Sequence, residues 1–276
     1  MSNYIVIPAR LESTRLPRKL MLDDTGQPLI LHTVQNAMRS KLAGKIFVAT
    51  DSNEIADVVN DLNCEKVTVV ITGHCNTGTE RVSVACEHLD EIDVVVNWQG
   101  DEPDINFNHV DDLFRELDGN IDHSVITLAS PATQEEMVSP SVVKVVADNI
   151  GNAMYFSRCP IPYGSHNARI SGNLKHIGVY AYRVGFLQSI AYMSEPIYAS
   201  ERLEQLQWLE NRHSIKVLIK HISAVGIDTM EEYQNGNWSA FLVVNVREEF
   251  KFSIRYWDPV DAIVDVKLRR LGEEDK

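Results

Sequence analysis

The sequence predicts an α/β fold with a mostly parallel sheet, and two observations in its first half carry this prediction. Apolar stretches of strand length alternate with segments of helical spacing from residue 3 to residue 98. The last of these stretches, 93–98, is apolar almost throughout, which is typical of a strand buried on both faces. Such alternation indicates right-handed strand–helix–strand units around a parallel sheet.

Each element of the first half has its own signal. Apolar runs predict strands over 3–8, 45–51, 66–71 and 93–98. Helical spacing predicts helices over 28–40, 53–62 and 79–90. The first of these helices carries Pro28 near its start, where the missing N–H would have had no intrahelical partner.

The second half predicts a different arrangement. Strands are expected over 141–147, 153–157 and 176–182 without regular helices between them, which favours mixed or antiparallel additions and a small lobe over the ligand edge of the sheet. A charged helix over 199–212 and a strand over 216–222 follow, and 224–229 returns to the sheet edge. We therefore expect residues 1–235 to form one part, with a lobe of roughly 141–200 inside it. An extension, 236–276, carries two further predicted strands, 241–246 and 250–257, and has no assigned role.

Composition excludes several classes of protein. A net charge of −13 argues against a nucleic-acid-binding protein, because a phosphate backbone needs a basic face. No apolar run approaches the roughly 20 residues that span a bilayer, and no signal peptide precedes the first strand. We therefore predict a cytoplasmic protein without membrane partners. The four cysteines, Cys64, Cys75, Cys86 and Cys159, form no CxxC pair and are expected to be reduced, with a zinc site near His74 as the weaker alternative.

Cations and hydroxyls follow the first strand directly. The loop after it carries Arg10, Ser13, Thr14, Arg15 and Lys19, and contains no glycine. Ligands of α/β folds bind at the carboxyl ends of strands, and these side chains suit a polyphosphate. A solvated basic turn is the alternative.

Two acidic residues also follow apolar stretches. Asp101 stands in Gln99-Gly-Asp-Glu-Pro103 and Asp228 in Gly226-Ile-Asp-Thr-Met230. If these segments are neighbours, the two carboxylates can hold one magnesium ion, with water and phosphate oxygens completing its coordination. An ordinary acidic turn is the alternative for each.

A tight turn leads into the third predicted helix at Thr77-Gly-Thr-Glu-Arg81. Its amides and hydroxyls would face a base or ribose, with Glu80 and Arg81 anchoring the turn as a pair. The simpler interpretation is a helix start capped by threonine.

Seven segments together resemble one family. They are Ile-Pro-Ala-Arg-x-x-Ser-Thr-Arg-Leu-Pro-x-Lys, Gly-Thr-Glu-Arg, Asn-x-Gln-Gly-Asp-Glu-Pro, Tyr-Phe-Ser-Arg-x-x-Ile-Pro, Lys-His-Ile-Gly-Val-Tyr-Ala-Tyr-Arg, Leu-Glu-Gln-Leu and Gly-Ile-Asp-Thr. Their order is that of 3-deoxy-manno-octulosonate (Kdo) cytidylyltransferases, and the resemblance covers roughly residues 3–235. It implies a Rossmann-like nucleotide-diphospho-sugar transferase fold with a small mixed-β dimerisation lobe, and a homodimer.

The resemblance also implies roles for individual residues. Lys19, Asp101 and Asp228 would be catalytic, the two aspartates holding Mg²⁺. CTP would be bound by Arg10, Ser13, Thr14, Arg15, Lys19, Thr77, Gly78, Thr79 and Gln99. The sugar acid would be bound by Arg158, His176, Tyr180, Glu204 and Gln205. Taken without the resemblance, His176 and Tyr180 suit the core of the protein, and Glu204 suits a solvated helix face.

Several positions depart from the family pattern. Arg18 stands at a usual glycine, Leu20 at a proline and Cys75 at a histidine. Tyr198 and Gln207 each replace a charged residue of the helix expected to bind the sugar. The implied reaction joins CTP to Kdo or a Kdo-like acid and releases pyrophosphate. A cytidylyltransferase for a sialic-type acid and a non-catalytic nucleotide-binding protein remain open, as does the pathway served (lipopolysaccharide or capsule).

Overall fold

The computed structural model describes residues 2–89, 92–163, 172–193, 199–223, 226–236, 250–251 and 269–270. The chain divides into two compact units, Met1–Trp238 and Ser239–Lys276. In the second unit the structure describes one short antiparallel pair, Phe250–Lys251 with Arg269–Arg270. The predicted strand 241–246 and most of the predicted strand 250–257 lie outside the described residues, as does Tyr198.

A nine-stranded sheet organises the first unit. Its strands are β1 (Asn3–Ala9), β2 (Lys45–Thr50), β3 (Val67–Ile71), β4 (Val94–Asn97), β5 (Val125–Pro131), β6 (Lys144–Ala147), β7 (Ala153–Ser157), β8 (Leu174–Arg183) and β9 (Lys216–Ile219). The main path runs β3-β2-β1-β4-β8-β5-β9, and β6 and β7 form an antiparallel hairpin joined to β8. The first four strands are mutually parallel, and β8 joins antiparallel between β4 and β5.

Helices cover both faces of this sheet. They are α1 (Leu29–Met38), α2 (Asn53–Asn60), α3 (Gly78–Glu87), α4 (Phe107–Gly119), α5 (Gln134–Val138), α6 (Val184–Ile190), α7 (Glu204–Glu210) and α8 (Met230–Asn235), with 3₁₀ turns at Lys19–Met21 and Ala199–Glu201. No helix within the described ranges has the length and apolar character needed to cross a membrane.

The alternation of side chains along β1 divides the core into two layers. Ile5 and Ile7 join the cluster that contains the apolar faces of α1 and α4. Val6 points the other way and joins the cluster formed with α3, α6 and α7. All three side chains are fully buried. This two-sided burial is why β1 and β4 lack the polar alternation of an exposed strand.

The parallel α/β order of the first half and the antiparallel strands of the second half are confirmed, but three other expectations for the second half need correction. Sequence analysis assigned no element between 99 and 140, where the structure has α4 and β5. Strand β5 lies inside the sheet, because it pairs with β8 on one side and with the edge strand β9 on the other. The predicted helix 199–212 is in fact a 3₁₀ turn followed by α7, and the predicted strand 216–222 ends at Ile219. Tertiary pairing, rather than local pattern, decided these bounds.

Candidate active site

Parallel pairing brings two of the predicted loops together. Strands β1 and β4 run side by side, with Val6 opposite Asn97, so both chains leave the sheet at the same edge. The basic loop leaves from β1, and the Gln99–Asp101 segment leaves from β4. A cavity of about 270 Å³ lies between them, and the predicted nucleotide residues that line it are Arg10, Ser13, Lys19, Thr77, Gly78 and Gln99, together with Asp101. We call this the nucleotide cavity.

Lys19 is the point at which the two distant aspartates meet. Its ammonium donates to Asp228 Oδ1 at 3.0 Å and also bonds the carboxylate of Asp101. It donates further to the backbone carbonyl of Ile227 at 3.0 Å. The N–H of Ile227 in turn donates to the carbonyl of Asp101 at 2.9 Å, which ties the two acidic segments directly. We call Lys19, Asp101 and Asp228 the lysine–aspartate cluster.

Electrostatics within this cluster favour charged groups. Burial lowers the pKa of Lys19, but Asp101 and Asp228 outweigh that effect, and the pKa is raised above its ordinary value. Glu102 lies beside the cluster, and burial, with further contributions from the two aspartates, raises its pKa to about 8. The two aspartates are thus compensated by the Lys19 ammonium and by Arg15, while the raised pKa of Glu102 favours its neutral form.

The cluster suits a divalent cation in a particular way. Two carboxylates that contact the same ammonium nitrogen lie close enough to share one ion. Within the described residues no group of three or more histidine, cysteine or acidic side chains could hold a metal, so the ligand would supply the remaining oxygens. Magnesium is commonly bound through one or two carboxylates, water and substrate phosphates. The residues present therefore fit Mg²⁺.

The remaining cations of the basic loop have other partners. Arg15 is largely exposed and pairs with Asp228 Oδ2 at 2.7 Å, and Thr14 is exposed. Arg18, at the usual glycine position, has a left-handed φ of 55° and pairs with the carboxylate of Glu54. A left-handed conformation is one that glycine adopts freely, which accounts for the family's preference there. In this chain the Arg18 side chain points to Glu54.

Gly100 marks a close approach of the Asp101 segment to its neighbours. A Cβ at this position would lie 3.1 Å from Ile30 and 3.3 Å from the carbonyl of Pro8. The carbonyl of Gly100 accepts from Thr33 Oγ1 at 2.8 Å. Any larger residue would push these neighbours by a few tenths of an ångström, so glycine suits the close packing of the segment between β1 and α1.

The predicted turn at Thr77 is a capped helix start whose anchors differ from those expected. Thr77 Oγ1 accepts from the N–H of Glu80 at 3.1 Å. Glu80 and Arg81 do not pair with each other. The Glu80 carboxylate accepts from the N–H of Asn76, and the buried Arg81 guanidinium donates to Asp51 Oδ2 at 2.6 Å and to Thr72. Arg81 thereby joins α3 to the ends of β2 and β3.

A second cavity, of about 300 Å³, adjoins the first and holds four of the predicted sugar residues. His176, Tyr180, Glu204 and Gln205 line it. We call it the acceptor cavity. Gly78, Gln99 and Glu204 line both cavities, so ligands in the two would meet there.

The aromatic residues of the acceptor cavity are held by the core. His176 Nε2 lies 2.9 Å from Thr127 Oγ1, and burial lowers the pKa of His176 to about 3. Its ring packs edge-on against Phe156. The hydroxyl of Tyr180 is buried and has no hydrogen-bond partner among the described residues, which leaves it available to a ligand. His176 thus combines the expected cavity position with the satisfied, neutral state of a core histidine.

Arg158 is placed differently from the other predicted sugar residues. Its guanidinium donates to the backbone carbonyls of Glu201 and Pro140, each at 3.1 Å. Its N–H donates to the Glu201 carboxylate at 2.9 Å. In the described part of the chain it is not among the side chains that line either cavity. It instead holds the start of the α7 region against the β6–β7 hairpin.

All four cysteines are free thiols. Cys75 lines the nucleotide cavity, and burial is the main cause that raises its pKa. Burial likewise raises the pKa of Cys86 to about 12. Both thiols are therefore protonated at neutral pH, and the prediction of reduced cysteines agrees with the structure.

Comparison with known proteins identifies the family. The profile of the family described as cytidylyltransferase matches residues 4–219. The 3-deoxy-manno-octulosonate cytidylyltransferase of Chlorobium phaeovibrioides is 39% identical over 238 residues, which are 85% of this chain and 95% of that protein. The protein of the same name from Anaeromyxobacter sp. is 39% identical over 246 residues, 88% of this chain and 98% of that protein.

The chain belongs to the 3-deoxy-manno-octulosonate cytidylyltransferase family.

A solved structure supports the family fold. CMP:2-keto-3-deoxy-manno-octonic acid synthetase complexed with CTP superposes with a TM-score of 0.79 at 34% identity, covering 85% of this chain and 96% of that one. A cytidylyltransferase from Leptospira borgpetersenii shares the fold alone, at 18% identity and a TM-score of 0.54. The resemblance inferred from the seven segments and the fold class are therefore confirmed.

Sequence reasoning missed three features of this family member's site. Glu102 is adjacent to Asp101 and could have been found from that position. Arg81 had been noted, but not its contact with Asp51. Tyr182, which stacks on Tyr180, gave no signal beyond its place in an apolar strand.

Proposed function

We propose that the protein transfers the cytidylyl group of CTP to 3-deoxy-manno-octulosonate or a closely similar sugar acid and releases pyrophosphate. The observation that carries the proposal is the meeting of Asp101 and Asp228 at Lys19, at the edge where the nucleotide cavity opens. Two relatives bear the name of that activity, and this chain matches 95% and 98% of their length.

Positioning and charge compensation are the main demands of this reaction. The acceptor hydroxyl attacks the α-phosphorus in line with the departing pyrophosphate, and no covalent intermediate on the protein is needed. Arg10, Lys19 and Arg15 would surround the triphosphate and compensate the charge that develops on the leaving group. Ser13 and Thr14 would donate hydroxyl hydrogen bonds in the same loop.

Asp101 and Asp228 would hold magnesium, which when bound neutralises phosphate oxygens and favours the ionised acceptor hydroxyl. The chain's own contribution is to keep the two carboxylates together before the ligand arrives. Lys19 does this in the structure described here, and its flexible ammonium is free to turn to a phosphate oxygen when a cation replaces it.

The nucleotide would be selected at the start of α3 and the end of β4. Gln99 packs on Gly78, where a Cβ would lie 3.4 Å from Gln99 Oε1. Thr77, Gly78 and Thr79 present a helix N-terminus to the ribose and base. The sugar acid would occupy the acceptor cavity beside His176, Tyr180, Glu204 and Gln205. Arg158, which does not line this cavity, would have to leave the backbone carbonyls of Glu201 and Pro140 to pair with the acid's carboxylate.

Pyrophosphate release tests this proposal. The purified protein, Mg²⁺ and 3-deoxy-manno-octulosonate are combined with CTP, UTP, ATP or GTP. We expect release with CTP at least 100-fold faster than with the other nucleotides. Comparable turnover with UTP or ATP would discard the cytidylyl assignment. Release with a sialic-type acid but not with the octulosonate would favour the other acceptor class. CTP binding without product from any acid would favour a non-catalytic protein.

We further propose that the protein acts as a cytoplasmic homodimer, without nucleic-acid or membrane partners. Support for self-association comes from apolar side chains on and beside the β6–β7 hairpin, where Ile150, Met154 and Tyr163 are 65%, 64% and 85% exposed. A contiguous patch of exposed apolar residues commonly marks an interaction site, and a self-association surface here would need these three side chains to form one. Sedimentation of the wild type and of Met154→Lys tests this, and a wild type that sediments as a monomer refutes it.

A further inference from the structure

A third cavity adjoins the acceptor cavity and has no role in the proposed function. Its volume is about 550 Å³, and its lining includes Thr77, Thr79, Ile190, Met193, Glu204 and Gln207. It shares five residues with the acceptor cavity: Thr79, Arg202, Leu203, Glu204 and Trp208. The two cavities therefore adjoin at Glu204, where a ligand in the acceptor cavity can reach the third cavity.

Helical spacing explains how Gln207 reaches this cavity. Glu204, Gln207 and Trp208 follow one another at i, i+3 and i+4 on α7, which places them on one face of the helix. All three line the cavity. Gln205 lines the acceptor cavity but not this one.

Gln207 is a buried polar side chain whose amide nitrogen lacks a hydrogen-bond acceptor among the described residues. The residue is only 8% exposed, and its Nε2 has no hydrogen-bond partner among the described residues. An unsatisfied buried donor costs about 1–3 kcal/mol. Native proteins rarely leave such a group unpaired without a functional reason or an ordered water. The amide therefore points to an oxygen atom that is supplied from outside the chain.

The neighbouring groups define the chemistry of that ligand. Glu204 offers carboxylate oxygens, and the Thr77 and Thr79 hydroxyls hydrogen-bond to it. Burial raises the pKa of Glu204 against the effect of these two hydrogen bonds. Gln207 offers two N–H donors. A hydroxyl both donates and accepts, so a chain of hydroxyl groups satisfies the carboxylate and the amide together.

We propose that the third cavity binds the hydroxylated exocyclic chain of the acceptor sugar acid, and that Gln207 donates to an oxygen of that chain as a specificity-determining residue. This inference rests on the proposed function and deepens it. Gln207 is one of the two positions at which this chain replaces a charged residue of the family pattern. The neutral amide favours an uncharged hydroxyl.

A cycle of variant against substrate tests the proposal. The enzyme and Gln207→Leu are assayed with CTP and either the eight-carbon acid or a 3-deoxy-2-ulosonic acid two carbons shorter, which lacks the end of the chain. In Gln207→Leu we expect a roughly tenfold rise in KM for the eight-carbon acid, corresponding to about 1.4 kcal/mol. The KM for the shorter acid and the KM for CTP should be unchanged.

Controls separate this role from a structural one. Gln188→Leu removes an exposed amide from α6 and should change neither KM. If Gln207→Leu does not fold, Gln207→Asn keeps the amide but withdraws it by one carbon, and must show the same selective loss. Equal loss for both acids, or no loss for either, overturns the proposal.

Calorimetry keeps the test independent of turnover. Binding of the two acids to the wild type and to Gln207→Leu is measured in the presence of CMP. If the wild type releases no pyrophosphate with either acid, the proposed function fails, while a selective loss of binding of the longer acid still supports the role of Gln207. Normal turnover with an unchanged ratio of the two dissociation constants refutes the role of Gln207 alone.

Discussion

Replacement of Lys19 by methionine is the most direct test of the lysine–aspartate cluster. The substitution keeps the length and apolar stem of the side chain and removes its ammonium. That group bonds Asp101, Asp228 Oδ1 at 3.0 Å and the carbonyl of Ile227 at 3.0 Å. Its loss leaves two carboxylates close together, with Asp228 still paired to the largely exposed Arg15 and Asp101 without its ammonium partner.

The exposure of these side chains determines how much the free energy of unfolding should decrease in Lys19→Met. Two unit charges 4 Å apart interact by about 4 kcal/mol at an effective dielectric constant of about 20. Breaking a fully buried pair costs about 3–5 kcal/mol. The side chains here are 13%, 25% and 32% exposed for Lys19, Asp101 and Asp228, so solvent screens part of this interaction. We expect Lys19→Met to lose about 2 kcal/mol in the free energy of unfolding when divalent ions are chelated.

Magnesium should restore much of that loss. A cation that binds only the native state stabilises it by RT ln(1 + [L]/Kd), or about 1.4 kcal/mol at ten times Kd. In the wild type the ion must displace the ammonium, so its stabilising effect should be smaller than in Lys19→Met. Urea unfolding is measured in EDTA and in Mg²⁺, with exposed Lys41→Met as the control. Equal stability of Lys19→Met and wild type in EDTA, or equal magnesium increments, would refute the reasoning.

Three further predictions concern the site. Asp101→Asn should abolish turnover and leave the protein folded, and a variant with near-normal rates would remove this residue from the metal site. Arg158→Ala should raise the KM for the sugar acid at least tenfold more than the KM for CTP. Because the Arg158 guanidinium bonds backbone carbonyls here, an equal rise of both KM values would indicate a purely structural role. His176→Gln should flatten the acid side of the stability profile. Burial holds the pKa of His176 at about 3 in the native state, below its unfolded value of about 6.5. Between these pH values only the unfolded state gains the proton, so the free energy of unfolding of the wild type decreases as the pH is lowered. The free energy of unfolding changes by up to about 1.4 kcal/mol per pH unit in this range. Urea titrations at several pH values measure this slope, with exposed His74→Gln as the control. A slope in His176→Gln equal to that of the wild type would contradict the neutral state assigned to His176.

Local pattern was sufficient for the elements that make up the nucleotide half. Strand β1 and its basic loop, the start of α3 at Thr77 and the glycine before Asp101 each have a signal within a few residues. These signals arise from steric and hydrogen-bonding rules that operate over one turn or one strand. The elements that carry these signals can therefore be predicted without knowledge of the rest of the fold.

Other features had no local signal. Strand β5 and helix α4 were not predicted, although they have 7 and 13 residues, and the place of β5 in the sheet is defined by its pairing with β8 and β9. The neutral state of His176 depends on burial against Phe156 and Thr127, which come from other strands. The motif of Arg158 predicts that it binds the sugar acid, but in the structure its guanidinium donates to backbone carbonyls.

The sequence by itself determined the order of strands and helices in the first half, the family and the chemical types of the site residues, because periodicity and motif spacing are local properties of the chain. Only the tertiary structure decided which of those residues meet. Asp101 and Asp228 are far apart in sequence, and the backbone bond between Ile227 and Asp101 places both carboxylates on one ammonium. The tertiary structure likewise decided the environment of Gln207: it buries the side chain beside the third cavity and leaves its Nε2 without a hydrogen-bond partner among the described residues.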